Sequence, residues 1–165
     1  MRAGLRRTRR AAEAAGVTYE RLVDFTEAEA LAVAERIFSI EDTSWKSAEG
    51  GGMEPGPMRD FYRLMIPRLA RRGGLRVVFV RQDGADRAFC FGGLFESGGV
   101  TTYRGLQASY DDRFARLAPG VLAHVEMIHL CCDEGVAAYD LGTDMDYKRR
   151  WGEPGLRTVS CVAVV

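Results

Sequence analysis

Leu75-Arg76-Val77-Val78-Phe79-Val80-Arg81, Arg87-Ala88-Phe89-Cys90-Phe91-Gly92-Gly93-Leu94-Phe95 and Val100-Thr101-Thr102-Tyr103-Arg104-Gly105-Leu106-Gln107-Ala108 are the runs that decide the fold. Each is rich in β-branched and aromatic residues. Asp83-Gly84 separates the first two and Ser97-Gly98-Gly99 the second pair, residues that tight turns require. Connections this short allow only antiparallel neighbours, so the stretch reads as a three-strand meander. Gly92-Gly93 and Gly105 inside strand patterns point to a bulge or a close backbone approach.

Outward toward the C-terminus the pattern changes. Pro119-Gly120 opens a helix predicted from about Val121 to Glu134 and ended by Gly135. A strand follows over Val136 to Leu141, then a short helix around Asp144 to Trp151 and a last strand over Leu156 to Val165. A strand-helix-strand crossover attached to a meander makes a mixed α/β (α+β) sheet with helices on its faces. Outward toward the N-terminus, Met58 to Arg72 has helical spacing with Phe61, Leu64, Met65 and Leu69 on one side, and Thr43 to Pro57 reads as a loop. Thr26 can cap a helix whose buried stripe is Leu31, Val33, Ala34, Ile37 and Phe38. Val17 to Val23 alternates as a half-buried strand, and Arg2 to Ala15 reads as a basic helix closed by Gly16.

The 165 residues are the size of one domain, and a composition of 47% hydrophobic and 28% charged residues is that of a folded protein with a single core. Lys+Arg and Asp+Glu both total 23, which leaves no global positive field to hold DNA. Arg2, Arg6, Arg7, Arg9 and Arg10 crowd the first helix, which is expected to be a solvated face. No apolar run is long enough to span a membrane and no secretory leader is legible, so a cytoplasmic protein is expected. Cys90, Cys131, Cys132 and Cys161 lack metal or redox spacing and are expected to be reduced. His124 and His129 diverge by about 140° on their helix, so no metal site is expected.

Ser44-Trp45-Lys46 before a Gly-rich loop resembles the SWK signature of the CelD-like acetyltransferase subfamily of the GNAT superfamily, coenzyme A-dependent N-acyltransferases. Tyr110-Asp111-Asp112 with Leu117-Ala118-Pro119-Gly120 resembles that subfamily's entrance to the crossover helix. Tyr139-Asp140-Leu141-Gly142 with Tyr147-Lys148-Arg149-Arg150-Trp151-Gly152 resembles its closing motif. The likeness runs from about Arg6 to Val165 and matches the second of two GNAT-like halves, with the segment between Asp140 and Lys148 tighter than usual. Fem-type aminoacyl transferases are similar at greater distance.

The resemblance implies a GNAT fold, acyl-coenzyme A (acetyl-CoA) as cosubstrate, and transfer to a primary amine on a small molecule or peptide. A homodimer would replace the missing half. A helix starting at Ala118-Pro119-Gly120 points free N–H groups at a diphosphate, with Arg113 and Arg116 adding charge; the same residues would also serve merely to start a helix. Tyr147 takes the place of a superfamily tyrosine that protonates the leaving thiolate, a role its ordinary pKa near 10 suits. Lys148 would hold phosphate or stabilise a tetrahedral intermediate, and is equally readable as a surface lysine. Asp140 would accept the amine's proton, cap the next helix or pair with Lys148. Trp45 and Lys46 would border the acceptor site. On the crossover helix, Val121, Leu122, Val125, Ile128 and Leu130 are expected inward, leaving His124, Glu126 and His129 outward. With no cysteine paired to a base, direct transfer is the expected route. The alternatives are a Fem-like enzyme using aminoacyl-tRNA and a non-catalytic binding or dimerising module.

Overall fold

A computed structural model describes residues 2–48, 52–142, 145–146, 148–153 and 155. Helix α1 (Arg2–Ala14) and strand β1 (Val17–Leu22) precede helices α2 (Glu27–Glu41), α3 (Trp45–Ala48) and α4 (Pro57–Arg71). The meander is β2 (Leu75–Gln82), β3 (Ala85–Ser97) and β4 (Val100–Tyr110). A 3-10 turn (Asp112–Leu117) leads into α5 (Pro119–Asp133), which crosses to β5 (Ala138–Asp140). A second 3-10 turn covers Lys148–Arg150. The expected last strand, Leu156 to Val165, lies outside the described residues.

The strands form one sheet in sequence order, antiparallel from β1 to β4, with β5 parallel to β4. At the first meander turn Asp83 and Gly84 both have positive φ, 52° and 74°, the twist that a two-residue hairpin needs. Alternation then sends side chains to two faces. Leu75, Val77, Phe79, Phe89 and Phe91 pack beneath α2 and α4. Val78, Val80, Ala88, Cys90 and Tyr103 pack against α5 and against Ala12 of α1.

The expected bulge is present. Phe91 pairs with Gln107 and Gly92 with Gly105, so Leu106 is the extra residue in β4. The skip turns consecutive residues to one side: Leu106 packs on the α2/α4 cluster, and Gln107 Nε2 donates to Tyr62 Oη at 3.1 Å. Gly92 permits the close approach, since a Cβ there would lie 2.2 Å from the Arg104 carbonyl oxygen and 2.6 Å from Tyr103.

Thr26 caps α2 with a capping box to Glu29, as its sequence predicts. Several expectations are corrected. Residues 45–48 are helical rather than loop. Leu31 is 44% exposed, because Ala30 and Ala34 let α2 approach the sheet on the adjacent stripe. In α4 the inward residues are Tyr62, Ile66, Leu69 and Ala70, whereas Phe61 and Leu64 are exposed. That helix carries more apolar residues than one face accommodates, and the stripe chosen is the one whose phenol finds Gln107. On α5, Glu126 is buried rather than outward: Arg21 Nε of β1 donates to its Oε1 at 2.8 Å, and Arg9 of α1 lies 3.6 Å from Oε2. His124 also turns inward, while His129 stays exposed.

The join between β4 and α5 is tied at Asp111. Its backbone N–H donates to Arg87 O at 2.8 Å, and its carboxylate accepts from Arg113 N at 3.2 Å and Arg113 Nη2 at 2.6 Å. The Arg113 hydrogen bond outweighs burial and holds the carboxyl below its ordinary value. Its contribution to stability is therefore present above the ordinary carboxylate range and is lost as pH falls through the depressed folded value. Asp111→Asn is expected to lower stability at neutral pH and to flatten the loss on acidification below about pH 4; parallel melts of both proteins across pH check this. At the bulge, Gly92→Ala is expected to cost about 2–3 kcal/mol by overpacking. Gly4→Ala, with nothing near its added Cβ on exposed α1, is expected to stabilise by up to about 1 kcal/mol. Denaturant midpoints of the pair separate a packing effect from a general glycine effect.

Candidate active site

Parallel pairing between β4 and β5 covers only Thr102↔Ala138, Tyr103↔Tyr139 and Arg104↔Asp140. Strand β4 runs on to Tyr110 with β3 on one edge and no described strand on the other. A cavity of about 770 Å³ opens in this wedge, floored by residues 104–110 of β4. Gly120, Val121 and His124 of α5 line it, as do Leu141, Lys148 and Trp151, whose ring centre lies 6.2 Å from that of His124. Lys46 and Tyr62 reach it from the α2/α4 side.

Strand separation leaves backbone groups that need partners. Both lysines of the chain serve this end: Lys46 Nζ donates to Ala108 O on β4 at 2.7 Å, and Lys148 Nζ to Leu141 O beyond β5 at 2.7 Å. Burial lowers the pKa of each lysine, and the positive charges of Arg104 and Lys46 lower Lys148 further. Asp140 accepts from Gly142 N at 2.7 Å and is paired with Arg104. Burial alone would raise its pKa, yet these two contacts bring it below the ordinary value. It is thus an ionised group that turns the chain at the end of β5, and it does not line the cavity.

The phosphate-binding expectation falls on the start of α5. Ala118 adopts the left-handed conformation, φ 50°, between the 3-10 turn and α5. Its carbonyl accepts from Leu122 N at 3.1 Å. Pro119 has no N–H, which leaves the Gly120 and Val121 amides as the first-turn donors without a partner among the described residues. Both residues line the cavity. Gly120 packs on the Tyr110 ring, where a Cβ would lie 2.9 Å from Cδ1. Arg113 and Arg116 are exposed, do not line the cavity, and Arg113 is held by Asp111. The structure therefore brings together Lys46, Lys148 and Gly120, and leaves the two arginines outside the cavity wall. Tyr147 lies outside the described residues, as does the side chain of Trp45.

One group of residues went unread in the sequence. Cys90 Sγ lies 3.7 Å from His124 Nδ1, 3.5 Å from Tyr139 Oη and 3.9 Å from Tyr103 Oη, and His124 Nδ1 lies 3.3 Å from Tyr139 Oη. The expectation that no cysteine meets a base is corrected, because β3 and α5, distant in sequence, cross at this point. Burial would raise the Cys90 thiol and lower the His124 imidazole; their mutual attraction wins, moving the thiol down and the imidazole up. Cys131, buried without such partners among the described residues, is pushed up to about 12 by its burial. Glu41 was also missed. It is buried beneath Gly52, where its Oε1 accepts from Met53 N at 3.1 Å. Among the described residues no group of His, Cys, Asp or Glu is placed to hold a metal, and no helix is long and apolar enough to cross a membrane.

Solved acetyltransferases share this fold. An aminoglycoside acetyltransferase from an uncultured soil metagenomic sample, solved with sisomicin, superposes with TM-score 0.63 at 11% identity, covering 89% of this chain and 97% of that one. A GNAT family acetyltransferase of Staphylococcus aureus gives 0.61 at 7% identity, covering 89% and 99%. An aminoglycoside N-acetyltransferase in complex with CoA gives 0.56 at 11% identity, covering 89% and 93%. These likenesses concern the fold. No curated protein sequence matches the chain significantly. The family description "Acetyltransferase (GNAT) domain" matches residues 1–149. With nine-tenths of its length matched, this chain belongs to the GNAT acetyltransferase family.

Proposed function

We propose that the protein transfers an acetyl or longer acyl group from acyl-CoA to a primary amine. The observation that carries this reading is the continuity of one cavity from the edge of β4 that no described strand covers to the Gly120 and Val121 amides of α5. A helix start with unpaired N–H groups attracts a diphosphate. An edge with no described strand beside it offers backbone N–H groups to an extended pantetheine arm and to the thioester carbonyl, where negative charge develops. Lys148 and Lys46 on the two lips add positive charge nearby. Arg116 is the exposed cation that a donor phosphate would meet before entering. The SWK, Pro-Gly and Tyr-Lys motifs support a CelD-like member of the family. For the proton that the leaving thiolate needs, the resemblance offers Tyr147 and the cavity wall offers His124.

Titration calorimetry with acetyl-CoA and a longer acyl-CoA is expected to show saturable binding. Arg116→Glu is expected to weaken it severalfold, and Arg113→Glu by less, since that guanidinium is shared with Asp111. Gly120→Val, which sets a branched side chain between Tyr110 and the helix start, is expected to weaken it at least about tenfold. Absence of binding to any coenzyme A species would move the assignment to an aminoacyl-tRNA donor or a non-catalytic module.

The proposal extends to a cytoplasmic homodimer, in which a second copy stands where relatives of the resembled subfamily carry another half. Phe61 and Leu64, 54% and 59% exposed on α4, are the apolar surface such a contact would cover. Light scattering is expected to give twice the chain mass; a monomer at working concentration removes the dimer.

A further inference from the structure

We propose that the acceptor is a small amine that itself carries a carboxylate, held by Lys46, Tyr62 and Ser109 on the α2/α4 side of the cavity. This rests on the donor reading above and names the class of its second substrate.

Hydrogen-bond donors are left over on this side of the cavity. Gln107 and Ser109 of β4 lie opposite Phe91 and Phe89 of β3, so their side chains share the face that packs against α2 and α4. Gln107 engages both ends of its amide: Nε2 donates to Tyr62 Oη at 3.1 Å, and Oε1 lies 3.4 Å from Lys46 Nζ. Tyr62 thus accepts at its oxygen and keeps its own O–H to give. Lys46 has three N–H groups; one goes to Ala108 O at 2.7 Å and one to Gln107, which leaves the third. Ser109 is 3% exposed, and its Oγ has no partner among the described residues. All three residues line the cavity. A buried hydroxyl without a partner is costly, and a bound acceptor oxygen removes that cost.

Charge selects the ligand. None of the described residues lining the cavity carries a carboxylate, whereas Lys46, Arg104 and Lys148 bring positive charge to it. A carboxylate only accepts, through two oxygens, and matches a lysine flanked by hydroxyls. Glu41 acts on Lys46 through space, but it is 1% exposed beneath Gly52, with its Oε1 taken by Met53 N. It offsets part of the burial penalty of the ammonium, and a bound carboxylate offsets more. The donor's diphosphate is assigned to the Gly120 and Val121 amides, which leaves Lys46 for the second substrate. Lys46 and Tyr62 are both tied to β4, the strand along which the thioester is read to lie. The carboxylate and the attacking nitrogen therefore belong to one compact molecule, an amino acid rather than a polyamine. In the transfer the neutral amine's N–C bond forms, the coenzyme S–C bond breaks, and the nitrogen's proton ends on the coenzyme sulfur. The carboxylate takes no part in these bond changes.

The full chain is incubated with acetyl-CoA and, in parallel, a panel of L-amino acids, their carboxamides and spermidine, and acetylated products are followed by mass spectrometry. At least one amino acid is expected to be acetylated, its carboxamide at least about tenfold less well in kcat/KM, and spermidine at background. For that amino acid Lys46→Met is expected to raise KM about ten- to a hundredfold, and Ser109→Ala and Tyr62→Phe severalfold, with kcat within about twofold. The latter two variants each remove a single oxygen, so the result stays readable if Lys46→Met does not fold. Calorimetry is expected to show unchanged acetyl-CoA binding in each folded variant. Acetyl-CoA binding without acetylation of any amino acid, equal acetylation of acid and carboxamide, or a KM unmoved in the variants overturns the acidic acceptor and leaves the donor reading standing. Absence of acetyl-CoA binding in the unaltered protein overturns both.

Discussion

Everything at the cavity depends on one constraint: β4 and β5 pair for three residues and then part. A parallel pair that continued would satisfy its own backbone and leave no room between the strands. Parting exposes carbonyls and amides along Gly105 to Tyr110, and each must find a partner or face the cavity. Lys46 takes one of these carbonyls, that of Ala108, and Lys148 takes that of Leu141 beyond β5. The bulge at Leu106 belongs to the same event, since it turns Gln107 toward α4 just where β4 loses its neighbour.

A wedge held open needs braces, and these are ionic. Arg36 of α2 donates to Glu20 of β1 and Asp86 of β3 while its guanidinium lies 3.9 Å from the centre of the Phe79 ring, so one side chain ties a helix to two strands. On the opposite face, Arg21 bridges Glu126 and Asp133, fixing α5 against β1. Both arginines keep a part-exposed guanidinium, which tempers the desolvation cost that a fully buried pair would carry. Asp111 fixes the third junction, where the chain leaves β4 and turns toward the start of α5. The amides of Gly120 and Val121 are thereby aimed from a position set by three separate contacts.

The interior of the wedge is chemically asymmetric. Toward α2 and α4 it presents an amide and a phenol, Gln107 and Tyr62, hydrogen-bonded to each other. Toward α5 it presents Cys90, His124 and Tyr139, groups that can exchange a proton. The contacts with Cys90 and Tyr139 are what let α5 carry a polar imidazole on an inward face.

The meander was legible because its turns are local: Asp83-Gly84 and Ser97-Gly98-Gly99 force antiparallel neighbours whatever surrounds them. The cap at Thr26 and the helix start at Pro119-Gly120 are legible for the same reason, since a cap involves residues within one turn. Family membership followed from short motifs that sit at such local junctions. The inward face of α4 was not legible, because Phe61, Tyr62, Leu64 and Ile66 supply two rival apolar stripes, and only the position of Gln107 on another element chooses between them. Nor were the buried Glu126 and the Cys90–His124 contact, whose partners lie 105 and 34 residues away. Local backbone chemistry determined the elements and their order. Which side chains meet was decided by the tertiary structure, because burial of a charged or polar group depends on a partner that only the assembled layers bring within reach.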